Sequence, residues 1–560
     1  MAILKFGLII SPNKNIIKGQ GSDNMKKSKT QTFMASVAMV MCSQIVIKLL
    51  GLMYRVVITN IDGFGDAGNG IYNFGYQIYV LLLAISSVGI PNAIAKLVSE
   101  KCATDDFKSA YRIFRCALVL FSVIGGALGA FLYVSAPFID RAMFDEPTIV
   151  RVLRVLSPAI LFVSVSSVIR GFFQGMKNMK ATSTSQVIEQ FIKCVSTILI
   201  VVALAGNSPE VMAVGATVAT TLSTFLSLLY VVWFYKANKK DIRERLSESK
   251  PLVRESFSKI SKAILYVAVP ISLGSIVASI NRVVDLTTVV QGLKVALVGT
   301  PDLDRVTMTL SGMLSKGDII INLPLALNIA FSTVLVPTVA GAIAKGDRKT
   351  ACDKVSFSLL VSVVIALPAT VGCMVLADEI FMFLYPNAPE GGYLFAISAI
   401  TIFFSAITQT NSGSLQGLGK VFVPAIALVV GGVVKLIVNL TLIPIPEINI
   451  LGAPIGSVLC QAIGCAITFC VVKKNLDIKL GVGKYLLKPL AASLIMGAVV
   501  FITSRLLTNF VGNAVSTIVA IGAGLIVYAI LTFMVFKVFD DEEIKQLPMG
   551  GRLLRLIHKF

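Results

Sequence analysis

The chain is 560 residues long, 56% hydrophobic and only 14% charged, well below the roughly 25% charged of ordinary soluble domains. This excludes a soluble globular fold for most of its length and places it in a membrane. The formal charge of +20 does not indicate nucleic acid, because Lys and Arg punctuate long apolar stretches instead of gathering on one soluble face.

In chain order, the opening MAILKFGLIISPNKN lacks a small-residue cleavage site, so residues 1–33 read as a cytoplasmic tail and not a signal peptide, with Met25 a second candidate start. Fourteen apolar stretches follow, each long enough to cross about 30 Å of hydrocarbon as a helix. They span 34–59, 72–95, 113–135, 152–173, 183–205, 211–235, 263–291, 317–344, 355–377, 391–415, 421–445, 450–472, 485–507 and 513–536. The predicted fold class is an all-α polytopic membrane protein. With both ends inside, the inner segments hold most of the 50 Lys and Arg, which predicts an N-in, C-in topology by the positive-inside rule. The outer loop at 292–316 is the long exception among short outer loops.

Internal repeats organise these spans. YRVV at 54–57 resembles NRVV at 281–284, and GIPNAIAK at 89–96 resembles LVPTVAGAIAK at 335–345. Gln174-Gly175 matches Gln416-Gly417, and Gly215 matches Gly456. Spans 1–6 and 7–12 therefore read as two copies of a six-helix unit related by an axis along the membrane normal. The predicted organisation is an N-lobe at 34–235, a basic cytoplasmic linker at 236–262, a C-lobe at 263–472, two appended spans at 485–536 and a cytoplasmic tail at 537–560.

Polar groups inside spans are the pointers to function. Gln44, Lys48, Gly51 and Arg55 share one face of span 1, and Arg282 with Asp285 one turn beyond lies in span 7. Arg55 and Arg282 are repeat-equivalent, and a guanidinium keeps its charge and offers a fork of donors suited to phosphate oxygens. Arg55, Arg282 and Lys48 are thus the candidate diphosphate ligands. The alternative has Arg55 snorkelling to the headgroups and Arg282 neutralised by Asp285. Span 5 carries Glu189 and Lys193 at i, i+4, the favourable order for a helix ion pair. With Asp285 and Gln44 these are candidate cavity or coupling groups. Asp318, at the edge of span 8, is a third acidic candidate, and Lys435 has no evident partner in the sequence. Tyr76 and Tyr79 line span 2 with Tyr72 and are candidate sugar contacts.

His558 is the one histidine, and the nine cysteines form no C-x-x-C, so no metal site, His-based triad or disulfide framework is expected. No G-x-x-x-x-G-K-[ST] occurs, which rules out an ATPase of this chain's own. No cofactor is expected, and transport draws on Na+ or H+ coupling or on the membrane potential.

GLMYRVVITN, GNGIYNFGYQIYVLLLAISSVGIPNAIAKLVSE at 68–100, RGFFQGMKNM, SQVIEQ and LQGLGK resemble the polysaccharide flippases of the multidrug/oligosaccharidyl-lipid/polysaccharide exporter superfamily. The similarity is to the stage V sporulation protein B and YtgP type, related to the MurJ lipid II flippases. The resemblance implies two six-helix lobes around a cationic cavity and alternating-access export of an undecaprenyl-diphosphate-linked saccharide across a bacterial plasma membrane, without enzymatic activity. It also implies a monomer whose partners are the lipid-linked saccharide and membrane lipids, with no nucleic acid and no ATPase subunit. Arg55 stands in the family's GxxYR pattern, while Arg282 follows from the repeat. Two other readings remain: a MATE-type multidrug or cation antiporter, and a membrane glycosyltransferase or ligase.

Overall fold

The computed structural model describes residue 43 and residues 46–555, except 145–146, 177, 250–255, 345, 477, 479–480 and 547–553. Gln44 and the 1–33 tail with Met25 lie outside the described residues. Among those described there is no strand, as expected where no water is available to satisfy open backbone groups. Eleven helical segments are long and apolar enough to cross a membrane.

The helices are α1 (46–59), α2 (Gly65–Leu83), α3 (Ile90–Ala103), α4 (Phe107–Arg141), α5 (Val150–Gly175), α6 (Lys180–Ala203), α7 (Pro209–Ala237) and α8 (Lys239–Glu248). The second half of the chain adds α9 (Phe257–Ala296), α10 (Leu303–Ala344), α11 (Arg348–Val375), α12 (Ala377–Leu384), α13 (Gly392–Gly417), α14 (Phe422–Leu442), α15 (Gly452–Leu476), α16 (Lys488–Ile530) and α17 (Asp541–Gln546).

Short polar residues start several of them. The Asp106 carboxylate accepts from Ser109 N–H at 3.1 Å, that of Asp347 accepts from Thr350 N–H at 3.0 Å, and the Ser256 hydroxyl accepts from Lys259 N–H at 3.3 Å, each satisfying a free amide at a helix N-terminus. α2 runs through a π-helical turn at Ala84–Val88 into α3, where Pro91 occupies the first turn and forms no internal break. α16 reverses at Gly512, whose φ of 77° and ψ of 166° belong to glycine. Ser516 Oγ donates to the Ser504 carbonyl across that reversal, and Val500 packs at Gly524. The predicted spans 485–507 and 513–536 thus meet at this turn. All eight described cysteines are free thiols.

One sequence expectation is corrected here. The long outer loop at 292–316 is mostly helix, because α9 runs to Ala296 and α10 starts at Leu303. Lys294 and Asp304 form an ion pair between those two ends.

Most packing stays within one half of the chain: α4 on α5, α6 on α7, α10 on α13, α14 on α15. The halves meet where α9 packs on α2, α3 and α4 and where α2 lies against α10. Glycine makes that approach feasible, since a Cβ at Gly70 would strike the Met308 carbonyl and one at Gly312 the Asp66 carbonyl. Beside this contact Lys316, 0% exposed, pairs with Asp66 at 2.8 Å and donates to the carbonyls of Ala388 and Glu390 at 2.7 and 2.9 Å. Asn69 Nδ2 adds bonds to Ser315 Oγ at 2.8 Å and to the Gly312 carbonyl at 3.3 Å.

Removing one member of a buried pair strands the other charge. Lys316→Ala is expected to destabilise the protein by about 3–5 kcal/mol, and Lys316→Met combined with Asp66→Leu to recover more than half of that loss. Thermal denaturation in detergent measures both. Equal losses for the single and double variants would show that the charges are not the reason.

Candidate functional site

Of the residues singled out in the first half of the chain, Arg55, Lys193, Tyr72, Tyr76 and Tyr79 converge on one aromatic cluster. α1 supplies Tyr54 and Arg55, α2 supplies Asn69, Tyr72, Tyr76 and Tyr79, and α6 supplies Lys193. Arg55 is 8% exposed. Its Nη1 donates to Asn69 Oδ1 at 3.0 Å, its Nε to Tyr54 OH at 3.5 Å, and its guanidinium carbon lies 4.7 Å from the Tyr72 ring centre. Lys193 is 6% exposed, with Nζ 4.3, 5.6 and 5.9 Å from the ring centres of Tyr76, Tyr54 and Tyr72. Tyr72 therefore faces both cations, and it stacks on Tyr76 at 5.7 Å. Tyr79 is 2% exposed behind Tyr76.

Among the described residues no carboxylate forms an ion pair with Arg55 or Lys193. Ring faces and phenol oxygens stabilise a cation by about 0.5–2 kcal/mol each, less than an unpaired buried charge costs. The cluster therefore holds two buried positive charges without a paired carboxylate. Arg55 does not reach for headgroups as a snorkelling side chain would, because it is turned into the protein against Asn69.

The i, i+4 pair read from span 5 does not form. Glu189 pairs with Arg170 at 2.8 Å, and Arg170 also donates to Ser185 Oγ and Ser227 Oγ, each at 2.8 Å. A guanidinium fork between three acceptors on two neighbouring helices outcompetes a flexible ammonium one turn away. Glu189 thereby joins α5, α6 and α7, and Lys193 is left to the tyrosines.

In the second half of the chain, a cavity of about 200 Å³ opens between α9, α14 and α15, lined by Asn281, Arg282, Asp285, Lys435, Asn439 and Gln461 among others. Asp285 pairs with Lys435 at 2.6 Å and accepts from Asn439 Nδ2 at 2.8 Å. Asn439 Nδ2 also lies 3.0 Å from Thr288 Oγ1. Arg282 is therefore not neutralised by an ion pair to Asp285, and Lys435 has the partner that its sequence context did not reveal. Arg282 and Lys48 are both exposed, and each stands within electrostatic range of the other. Asp318 on α10 lies within range of Arg55, Arg282, Lys435 and Asp285 together. Arg55 and Arg282 thus both stand within electrostatic range of Asp318.

Residues 33–342, more than half of the chain, match the model of one protein family. The chain belongs to the polysaccharide biosynthesis protein family. It is 26% identical over 491 residues to the lipid II flippase MurJ of Bacillus subtilis strain 168, covering 84% of this chain and 87% of that protein. It is 24% identical over 531 residues to stage V sporulation protein B of the same organism, covering 94% and 99%. Among solved structures it resembles the inward closed conformation of the lipid II flippase MurJ with a TM-score of 0.67 at 19% identity, over 88% of this chain and 97% of that one. This last likeness establishes the fold.

Three residues that hold these contacts carry little signal in the sequence. Arg170 stands in RGFFQGMKNM, close to the end of its apolar stretch, and Lys316 immediately precedes the stretch at 317–344. Asn439, one turn after Lys435, carried the one available signal: two polar residues on one face of an otherwise apolar helix.

A double-mutant cycle separates the two candidate partners of Glu189. Glu189→Ala with Arg170→Ala is expected to show a coupling of about 1–3 kcal/mol, whereas Glu189→Ala with Lys193→Ala adds to within about 0.5 kcal/mol. Denaturation of each variant in detergent reads both cycles, and the reverse pattern would reinstate the helix pair.

Proposed function

We propose that the protein flips an undecaprenyl-diphosphate-linked saccharide, a lipid II-like precursor, from the inner to the outer leaflet of a bacterial plasma membrane. Its working form in this reading has fourteen spans with both termini inside, arranged as an N-lobe at 34–235 and a C-lobe at 263–472 that alternate access to a central cavity. The spans at 485–536 are appended to this pair. Relatives named as a lipid II flippase and a stage V sporulation protein support the class of substrate.

The observation that carries the reading is the pair of buried cations, Arg55 and Lys193, in an aromatic pocket without a carboxylate. Arg282 and Lys48 stand within electrostatic range of each other, and Arg282 and Arg55 both act on Asp318. The diphosphate binds between Arg55 and Arg282, with Lys193 and Lys48 adding charge, while the prenyl tail stays in lipid. The saccharide lies toward Tyr76, which is half-buried at the rim of the cluster. A cation antiporter needs the opposite sign at its centre, and here Glu189 and Asp285 are already engaged by Arg170 and Lys435. The chain acts as a transporter and not an enzyme, and it works as a monomer without an ATPase subunit.

An uncompensated dianionic headgroup would gain about 2.3 kcal/mol per charge per 100 mV on moving outward across an inside-negative potential, and the cations that bind it offset most of that gain in the loaded carrier. The test is rescue of a bacterium depleted of its lipid II flippase. Wild type is expected to restore growth, and Arg55→Ala and Arg282→Ala each to reduce it at least tenfold at equal membrane abundance. Full rescue by both variants would remove the two arginines from the site.

A further inference from the structure

Of the carboxylates that stand near the two cationic groups, three are engaged. Asp66 holds Lys316, Glu189 holds Arg170, and Asp285 holds Lys435. Asp318 differs. Its side chain, on α10, is exposed. Among the described residues its carboxylate makes no ion pair, while the charges of Arg55 on α1, Arg282 and Asp285 on α9, and Lys435 on α14 all act on it. It is thus a free negative charge facing the arginines to which the diphosphate is assigned.

Building on that assignment, we propose that Asp318 is the resident counter-anion of the diphosphate site, offsetting part of its positive charge when the cavity is empty and opposing the phosphate when it is filled. A carrier must bind its cargo firmly enough to load and weakly enough to unload. With Arg55 and Arg282 both acting on this position and Lys48 in range of Arg282, the site without an opposing charge would be an anion trap. Asp318 supplies that opposition from α10, the helix that also carries the buried Lys316 at the junction of the two halves. The cost falls on binding, and the gain is in release.

Full-length protein in detergent micelles tests this with two probes, undecaprenyl diphosphate and inorganic pyrophosphate, measured on wild type, Asp318→Asn, Asp318→Glu and Arg55→Ala. Asp318→Asn is expected to bind both probes about tenfold more tightly and, in proteoliposomes, to turn over several-fold more slowly at saturating lipid. This splits affinity from rate in a way that a packing defect would not. Asp318→Glu restores most of the wild-type affinity because the charge returns. Tightening for the lipid alone, without pyrophosphate, would place the effect on the tail and overturn the proposal. So would unchanged or weaker binding by Asp318→Asn, the outcome expected of a carboxylate that binds a coupling cation. Asp318→Ser removes the same charge should the Asn variant not fold. A wild type that retains neither probe, or an Arg55→Ala variant that binds as wild type does, would instead sink the diphosphate assignment, and this inference with it.

Discussion

Positive charge without a matching carboxylate is the constraint around which the chain is arranged. Elsewhere in the described structure buried or half-buried cations are answered in the ordinary way: Arg170 by Glu189, Lys316 by Asp66, Lys435 by Asp285, Lys294 by Asp304. Among the described residues, the side-chain groups in direct contact with Arg55 and Lys193 are aromatic faces, phenol oxygens and the Asn69 amide. Fully paired charges contribute helix register and leave no net field in the cavity. An aromatic cage keeps two cations folded in while leaving their field intact, as the proposed recognition of a phosphorylated ligand would require.

The supporting structure works to keep that cage in place. Arg55 is positioned by Asn69, and Asn69 is itself tied to Ser315 and the Gly312 carbonyl of α10. The guanidinium is therefore linked by two hydrogen-bonded steps to the contact between the halves of the chain. Any movement of α10 against α2 would pull on Asn69 and so on Arg55. The glycines at 70 and 312 matter for the same reason, since a side chain at either would hold the two helices apart and break the link.

Most of the architecture was legible because lipid imposes a rule that one sequence can display: runs of apolar residues must be helical and must cross. Arg55 stood out because a cation on an otherwise apolar face has few bland explanations. Local spacing failed where a distant helix offered a better partner. Glu189 and Lys193 satisfy the i, i+4 rule, yet Arg170, nineteen positions upstream, reaches Glu189 with a stronger donor geometry. Lys316 and Asp66 are 250 positions apart, and nothing in either neighbourhood announces the other. The Asp285–Lys435 pair was hidden for the same reason, and its two members were read separately, one as a partner for Arg282 and one as an orphan.

The sign of the cavity also fixes where a membrane potential acts on the proposed cycle. In that cycle Arg55, Lys193, Arg282 and Lys48 are opposed by Asp318, so the empty site would be positive and a dianionic headgroup would leave the loaded form closer to neutral. A near-neutral complex feels the field weakly, so the outward step draws little from the potential. The empty carrier, reopening toward a negative interior, has its positive cavity pulled in that direction, at about 2.3 kcal/mol per charge per 100 mV for a full crossing. In this arrangement the potential speeds the return of the unloaded protein more than the passage of its cargo. The resident carboxylate tunes that balance: each negative charge in the cavity weakens both the grip on phosphate and the pull on the empty state.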